Sequence, residues 1–454
     1  MSVFRSTGSR VAAGLVAVAL AGGGGAALVL EEDAPAPDVA ALPLVSPRPE
    51  PTRTPLLAPA PTGGARPSTA ALTRALAPVL ADPAVTGRLA VSVVDVETGE
   101  ALLALRDTAP VLPASTAKIA TAVAALSALD PAARLTTRVV AGAAAGEVVL
   151  VGGGDPLLST GTGSSYPRPA RLRDLVTQLR GTTVTRVLVD DSLYSGPRLG
   201  PGWRPTYVTS GDVMPVSSLA VDSGRSRPGR GPRVADPAVA AGQALAKALG
   251  VRAPVARGRA AADATVLASV VSPTIGQLVE DMLVRSDNDL AESLARQVAL
   301  AKGQPATFTG AAAAVAAVLE EAGVPRGTLA LVDASGLSRD DRVQPAALTA
   351  VLRALAVGDS SRLGPALTGL PVAGFDGTLA KRYRTGPSLP AAGVVRAKTG
   401  TLNGVSALAG LVRTRDGRLL AFDLTADGVP LGATRQAEAA LDRFAAVLAS
   451  CGCR

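Results

Sequence analysis

The chain has 454 residues, 48% of them hydrophobic, with 45 Lys+Arg against 37 Asp+Glu, a formal charge of +8 and no histidine. That length holds two or three domains of about 100–200 residues, and the missing histidine excludes Ser-His-Asp and Cys-His catalysis and every histidine-ligated metal site. Five Phe, four Tyr and one Trp are too few for base-stacking platforms and the arginines are scattered, so no nucleic-acid partner is expected.

Arg5 and Arg10 precede an uncharged run over residues 11–30, and Glu31, Glu32 and Asp33 follow at once. A basic start, an apolar middle and an acidic exit mark residues 1–30 as an export signal or a membrane anchor, and both readings stay open. Ten prolines between Glu31 and Pro67 favour extended, solvated backbone, making 31–67 a linker. The folded body opens with a helix at Thr69–Leu80, then strands at 89–96 and 101–105 around the turn Glu97-Thr98-Gly99-Glu100. Pro113 starts an alanine-rich helix reaching Leu129. Between 135 and 271 the pattern breaks into short strands, among them Glu147–Val151, Arg186–Asp190 and 265–271, with a helix at Pro237–Leu249. Helices resume at 275–284, 290–301 and 310–322. Near the end, strands 406–413 and 418–425 flank Asp416-Gly417, a hairpin signal, and a helix covers 435–449. Helices and strands at both ends of a strand-rich middle predict one α/β (α+β) domain in two parts, 68–138 and 264–454, interrupted by an insertion at 139–263. Cys451 and Cys453 cannot cross-link such a fold. They suit a small ring, a soft-metal pair or a dispensable tail.

Three short motifs carry chemistry. Without histidine, a covalent enzyme must draw its general base from Lys, Asp, Glu or Tyr, and only five lysines exist: Lys118, Lys247, Lys302, Lys381 and Lys398. Ser115-Thr116-Ala117-Lys118 places a hydroxyl and an amine on one helical face at i and i+3, near the positive helix end. Lysine serves as a base only when neutral, so its environment must lower its pKa. Ser286-Asp287-Asn288 contains one of only two asparagines. Ser286 is placed to relay a proton and Asn288 to hold a substrate amide, although Asp and Asn also favour helix caps. Lys398-Thr399-Gly400-Thr401 follows a strand-like run, a triplet that this composition produces by chance only ~0.04 times. Its lysine offers charge for a carboxylate, and Gly400 allows a substrate close to the strand edge.

Taken in order, the three motifs resemble those of the serine penicillin-recognising enzymes. Ser115 and Ser286 are 171 positions apart, too far for a compact β-lactamase, and the intervening Glu147 and Glu280 lie in no loop suited to activating water. With Gly152-Gly153-Gly154-Asp155-Pro156-Leu157-Leu158, Asp333-Ala334-Ser335-Gly336-Leu337-Ser338-Arg339 and Gly377-Thr378-Leu379, the chain from Ser68 onward is similar to D-alanyl-D-alanine carboxypeptidases and endopeptidases of the penicillin-binding protein 4 type. One departure is Ala334, where that family commonly has glycine. The resemblance implies a β-lactamase/transpeptidase-like fold and an extracytoplasmic enzyme without cofactor or metal. Its partners would be peptidoglycan stem peptides, with β-lactams as covalent inhibitors. It also implies that Ser115 attacks the bond between two D-alanines and Lys118 takes its proton. The N–H groups of Ser115 and Thr401 would then hold the oxyanion and Ser286 would protonate the leaving D-alanine. Lys398, Thr399 and Thr401 would bind the terminal carboxylate. For Asp155 two roles stay open, recognition of a stem-peptide amine or a structural turn; Arg339 reads as a structural ion-pair partner. A β-lactamase or esterase of the same fold, or a silent envelope scaffold, are the competing readings.

Overall fold

The computed structural model describes residues 63–161, 166–227 and 230–452. The apolar segment 11–30, most of the proline-rich linker and Cys453 lie outside the described residues.

Ser68 caps α1 (Thr69–Leu80) by accepting the Ala71 N–H. β1 (Leu89–Asp95) and β2 (Ala101–Leu105) then pair antiparallel across the expected turn. A 3₁₀ turn at Ala114–Thr116 leads into α2 (Ala117–Ala128). The alanine-rich sequence lets neighbouring helices approach α2 from every side, and each residue from Ala117 to Leu126 is buried. β3 (Arg134–Ala141), β4 (Glu147–Val151), β5 (Arg186–Asp190), β6 (Ala256–Arg257) and β7 (Val266–Thr274) form a mixed sheet ordered β6-β5-β4-β3-β7. Its core is shared with α3 (Leu172–Gln178) and α4 (Pro237–Leu249). The helical run that follows is α5 (Ile275–Arg285), α6 (Asn288–Ala301), α7 (Phe308–Glu321), α8 (Pro345–Val357) and α9 (Ser360–Gly369). β8 (Val395–Leu402), β9 (Val405–Arg413), β10 (Leu419–Asp427) and α10 (Thr434–Ser450) close the chain.

β8, β9 and β10 join β1 and β2 in an antiparallel sheet ordered β8-β9-β10-β1-β2, with Leu89 opposite Ala426 and Lys398 opposite Ala409. Both faces of this sheet are covered, as the alternation of its side chains requires. Val91, Leu408, Phe422 and Leu424 face α1 and α10, where Leu72, Leu441 and Phe444 complete one core. Ala409, Leu411 and Ala421 face the opposite core, built from α2 and α5 to α9. Each fully buried Leu or Phe in these layers stabilises by about 1.5–3 kcal/mol. The observed class is the expected one, mixed α/β with an antiparallel sheet flanked by helices.

Candidate active site

The three motifs converge where α2, the α5–α6 junction and the edge strand β8 meet. Two bends aim the side chains. Ala114, just ahead of Ser115, has φ 47, and Ser286, which ends α5, has φ 58. Non-glycine residues occupy this left-handed region only when surrounding contacts hold them there. Gly336 supplies one such contact: a Cβ there would sit 1.9 Å from the Ala114 carbonyl oxygen, and its own φ is +77. Gly336→Ala should therefore cost about 1–3 kcal/mol by overpacking and displace the turn that carries Ser115. Thermal unfolding together with the rate of acylation by a β-lactam tests this. An unchanged variant would mean that the close approach is unimportant.

Lys118 and Lys398 are both 0% exposed. Lys118 Nζ lies 3.0 Å from Ser115 Oγ, 2.6 Å from Asn288 Oδ1 and 2.6 Å from the Ser335 carbonyl oxygen. Burial lowers its pKa to about 8, against the pull of Asp333, Asp287, Glu292 and Asp289. A neutral amine has two hydrogens and one lone pair. Asn288 Oδ1 and Ser335 O can only accept, so they take both hydrogens and leave the lone pair for the Ser115 hydroxyl. The amide orientation of Asn288 is itself settled, because Nδ2 donates to the Asp212 carbonyl at 2.9 Å.

Asp212 belongs to the segment between β5 and β6, so this strand-rich region helps fix the geometry around Lys118. The same region contributes the Met214 N–H to Asp289 Oδ1 at 2.8 Å and a buried ion pair, Arg233–Asp289, also at 2.8 Å. Trp203 Nε1 donates to Asp333 Oδ2 at 2.7 Å, and the Tyr166 hydroxyl donates to Asp287. Nothing in the sequence marked Asp212 as relevant, since it contributes a backbone oxygen.

Lys398 Nζ donates to Ser286 Oγ at 2.9 Å and to the Thr399 carbonyl at 2.8 Å. Burial and then the neighbouring Lys118 charge hold its pKa well below the ordinary lysine value. Along β8, the Ala397 N–H donates to the Pro371 carbonyl and the Val395 carbonyl accepts the Ala373 N–H. Odd-numbered residues thus direct their backbone groups to the outer edge, which puts the N–H of Thr401 there too. Gly400 is needed beside it, because a Cβ would lie 2.7 Å from the Pro113 carbonyl oxygen and 3.2 Å from Ala114 Cβ.

Some sequence expectations change in detail. The Thr401 hydroxyl donates to Glu438 Oε1 of α10 at 3.0 Å, so only its backbone N–H is left for a ligand. Thr399 pairs with Thr378 at 2.8 Å, and of the two hydroxyl hydrogens one remains available. This gives the Gly377-Thr378-Leu379 motif its place in the site. Asp155 stands apart. It is 2% exposed, burial raises its carboxyl to about 6, and Oδ1 accepts the Leu157 N–H at 2.8 Å. None of these contacts involves the other eight predicted residues; Oδ1 closes a turn with Leu157, while Oδ2 is buried without a partner among the described residues. Among the described residues Arg339 forms no ion pair; it donates to the Asn403 carbonyl at 2.8 Å, bracing the turn after β8. Glu147 pairs with Arg186 and Glu280 takes the Thr368 hydroxyl, so neither faces Ser115. Beyond Thr401 the site opens into a cleft of about 330 Å³ lined by Arg204, Tyr207, Asp212, Leu337 and Asn403.

A serine backed by a buried lysine, with a second lysine on a sheet edge, defines a histidine-free serine acyl hydrolase. The D-Ala-D-Ala carboxypeptidase 3 (S13) family model matches residues 72–229 and 229–448, and the chain belongs to that family. It is 43% identical over 405 residues to a carboxypeptidase of Mycobacterium tuberculosis, covering 86% of each chain. Carboxypeptidase DacB of Mycolicibacterium smegmatis is 42% identical over 402 residues, covering 85% of each. In fold the chain is similar to penicillin-binding protein 4 of Haemophilus influenzae, with a TM-score of 0.68, 23% identity, and 83% and 97% of the two chains covered. That protein has also been solved with a β-lactam. The chain is thus a serine-type D-Ala-D-Ala carboxypeptidase, a cell-wall peptidase acting outside the cytoplasm.

Proposed function

We propose that Ser115 is the nucleophile and Lys118 its general base in cleavage of the D-Ala-D-Ala bond of peptidoglycan stem peptides. The observation that carries this is the buried Lys118 Nζ 3.0 Å from Ser115 Oγ and 2.6 Å from two pure acceptors, Asn288 Oδ1 and the Ser335 carbonyl, so that the neutral amine turns its lone pair to Ser115. In acylation Lys118 takes the hydroxyl proton while Ser115 Oγ bonds to the carbonyl carbon. The N–H groups of Ser115 and Thr401 stabilise the oxyanion, each donor lowering the barrier by about 3–4 kcal/mol. The C–N bond then breaks, and the proton reaches the departing D-alanine amine through Ser286. Asn288 orients Lys118 and the substrate amide together. Lys398 and the Thr399–Thr378 hydroxyl pair hold the terminal carboxylate, whose charge restores the ammonium form of Lys398. The extended stem peptide lies along the free edge of β8 beside Gly400. Water completes hydrolysis of the acyl-enzyme, and β-lactams acylate the same serine.

We further propose that 68–138 and 264–454 form the catalytic domain, with 139–263 inserted between them. Residues 1–30 export the chain and either leave or anchor it through the linker 31–67, and crosslink cleavage accompanies terminal trimming. Among the described residues no helix is long and apolar enough to cross a membrane.

Incubating the protein with labelled penicillin and reading intact mass should show one adduct, located on Ser115 by peptide mapping. Digested peptidoglycan should yield free D-alanine, and crosslink cleavage appears separately as loss of dimers. An unlabelled protein that releases no D-alanine would overturn the assignment.

A further inference from the structure

Glu292 lies on α6, one turn beyond Asn288, and is 1% exposed. A carboxylate buried to that extent is costly unless its oxygens are occupied, and here both are. Oε1 accepts the N–H groups of Ala334 and Ser335, each at 3.0 Å, and Oε2 accepts Arg296 Nη1 at 3.0 Å. The two gathered N–H groups precede the carbonyl that matters most in this site, Ser335 O, which takes a hydrogen of Lys118 at 2.6 Å. The carbonyl one residue earlier, Ala334 O, accepts the Thr121 hydroxyl at 2.7 Å, from the same helix that carries the base. The backbone at 334–335 is therefore pinned from two sides, by Glu292 on α6 and by Thr121 on α2.

We infer that Glu292 is a positioning residue for the general base: by gathering the Ala334 and Ser335 N–H groups it aims the Ser335 carbonyl at Lys118 Nζ, and so turns the amine's lone pair toward Ser115. The inference rests on Lys118 acting as the base. Only two pure acceptors fix that amine, Asn288 Oδ1 and Ser335 O. If Ser335 O swings away, an amine hydrogen is freed and the lone pair loses its direction. Asp333 shares the Ser335 N–H at 3.1 Å and takes those of Gly336 and Ser338 at 2.7 and 2.8 Å, so it mainly shapes the turn beyond, whereas the Ala334 N–H goes to Glu292. Ala334 carries no side chain that can substitute for Glu292.

Glu292 also faces Lys118 as a charge. The groups around that amine are Asp287 at the start of α6, Asp289 and Glu292 on it, Asp333 from the loop, and Lys398 from β8; the carboxylates favour its charged form and Lys398 opposes it. Geometry and charge can be separated by substitution. Glu292→Gln keeps an amide oxygen for the two N–H groups but removes the negative charge. It should acylate with labelled penicillin within about tenfold of the wild-type plateau, with the acidic limb of its pH dependence moved to lower pH. Glu292→Ala removes the acceptor and should acylate about 100-fold more slowly, the cost of a misplaced catalytic group. Thr121→Val leaves the carboxylate untouched and releases the second pin; its acylation should slow by about tenfold. It keeps the test decisive if the Glu292 variants do not fold. Lower melting temperatures with wild-type acylation rates and an unmoved pH limb would make Glu292 a purely structural residue and overturn the inference, as would an unaffected Thr121→Val. Absence of label on the wild type itself is a different result, and would count against the proposed function.

Discussion

Ser115→Ala is expected to abolish covalent labelling by penicillin and to lower kcat for D-alanine release by on the order of 10⁶-fold. The residual rate would come from the remaining oxyanion donors and substrate binding. Two neighbouring hydroxyls have partners other than Lys118. Ser286 is bonded to Lys398, and Ser335 Oγ is bonded to Asp333 Oδ2. The variant should fold normally, because Ser115 is only partly buried and its side chain makes one bond, to Lys118. Intact mass after penicillin treatment reads the result directly. A variant that still takes label would place the nucleophile elsewhere and remove the basis for every role assigned around it.

Lys118→Ala should be nearly as damaging, slowing acylation by about 10⁴-fold, the upper range for loss of a positioned general base. The wild-type pH dependence carries the sign of this role. Lys118 has its pKa lowered by burial to about 8, and only the neutral amine accepts a proton. Acylation should therefore rise with pH through that value and level off above it, whereas the residual reaction of Lys118→Ala should lack this limb. At pH 7 about a tenth of the amine is neutral. Lys118→Arg preserves charge but presents a guanidinium that does not deprotonate, so it should be as inactive as the alanine variant. Stopped-flow acylation across pH measures all three proteins. An Arg variant with substantial activity would show that proton abstraction does not pass through this side chain.

The sequence singled out Lys118 and Lys398 through scarcity and spacing, and the alanine-rich helix through Pro113 just ahead of it. The closing hairpin was equally readable, because Asp416-Gly417 sits between alternating apolar runs. The strand Arg134–Ala141 was less so, since Arg134, Thr136 and Arg138 on its outward face interrupt the apolar pattern until β4 and β7 pair on either side of it. Harder still were the roles of Asp212 and Ser335, which act through main-chain carbonyls that every residue possesses. Glu292 reads as an ordinary helix-surface acid until the fold brings residues 334 and 335 against it. Asp155 shows the reverse case, a motif residue whose neighbourhood is a buried turn.

The central sheet joins the two ends of the folded body, with β1 near residue 90 hydrogen-bonded to β10 near residue 424. A chain emerging from a ribosome therefore has no complete sheet until Leu419–Asp427 arrive. The turn carrying Ser115 is made early, yet the strand bearing Lys398 comes some 280 residues later. Such long-range closure is slow to nucleate. It means that a chain made only as far as the helices around residue 300 holds Ser115 without Lys398 beside it, and the arrangement is completed only once the strands through Asp427 have paired.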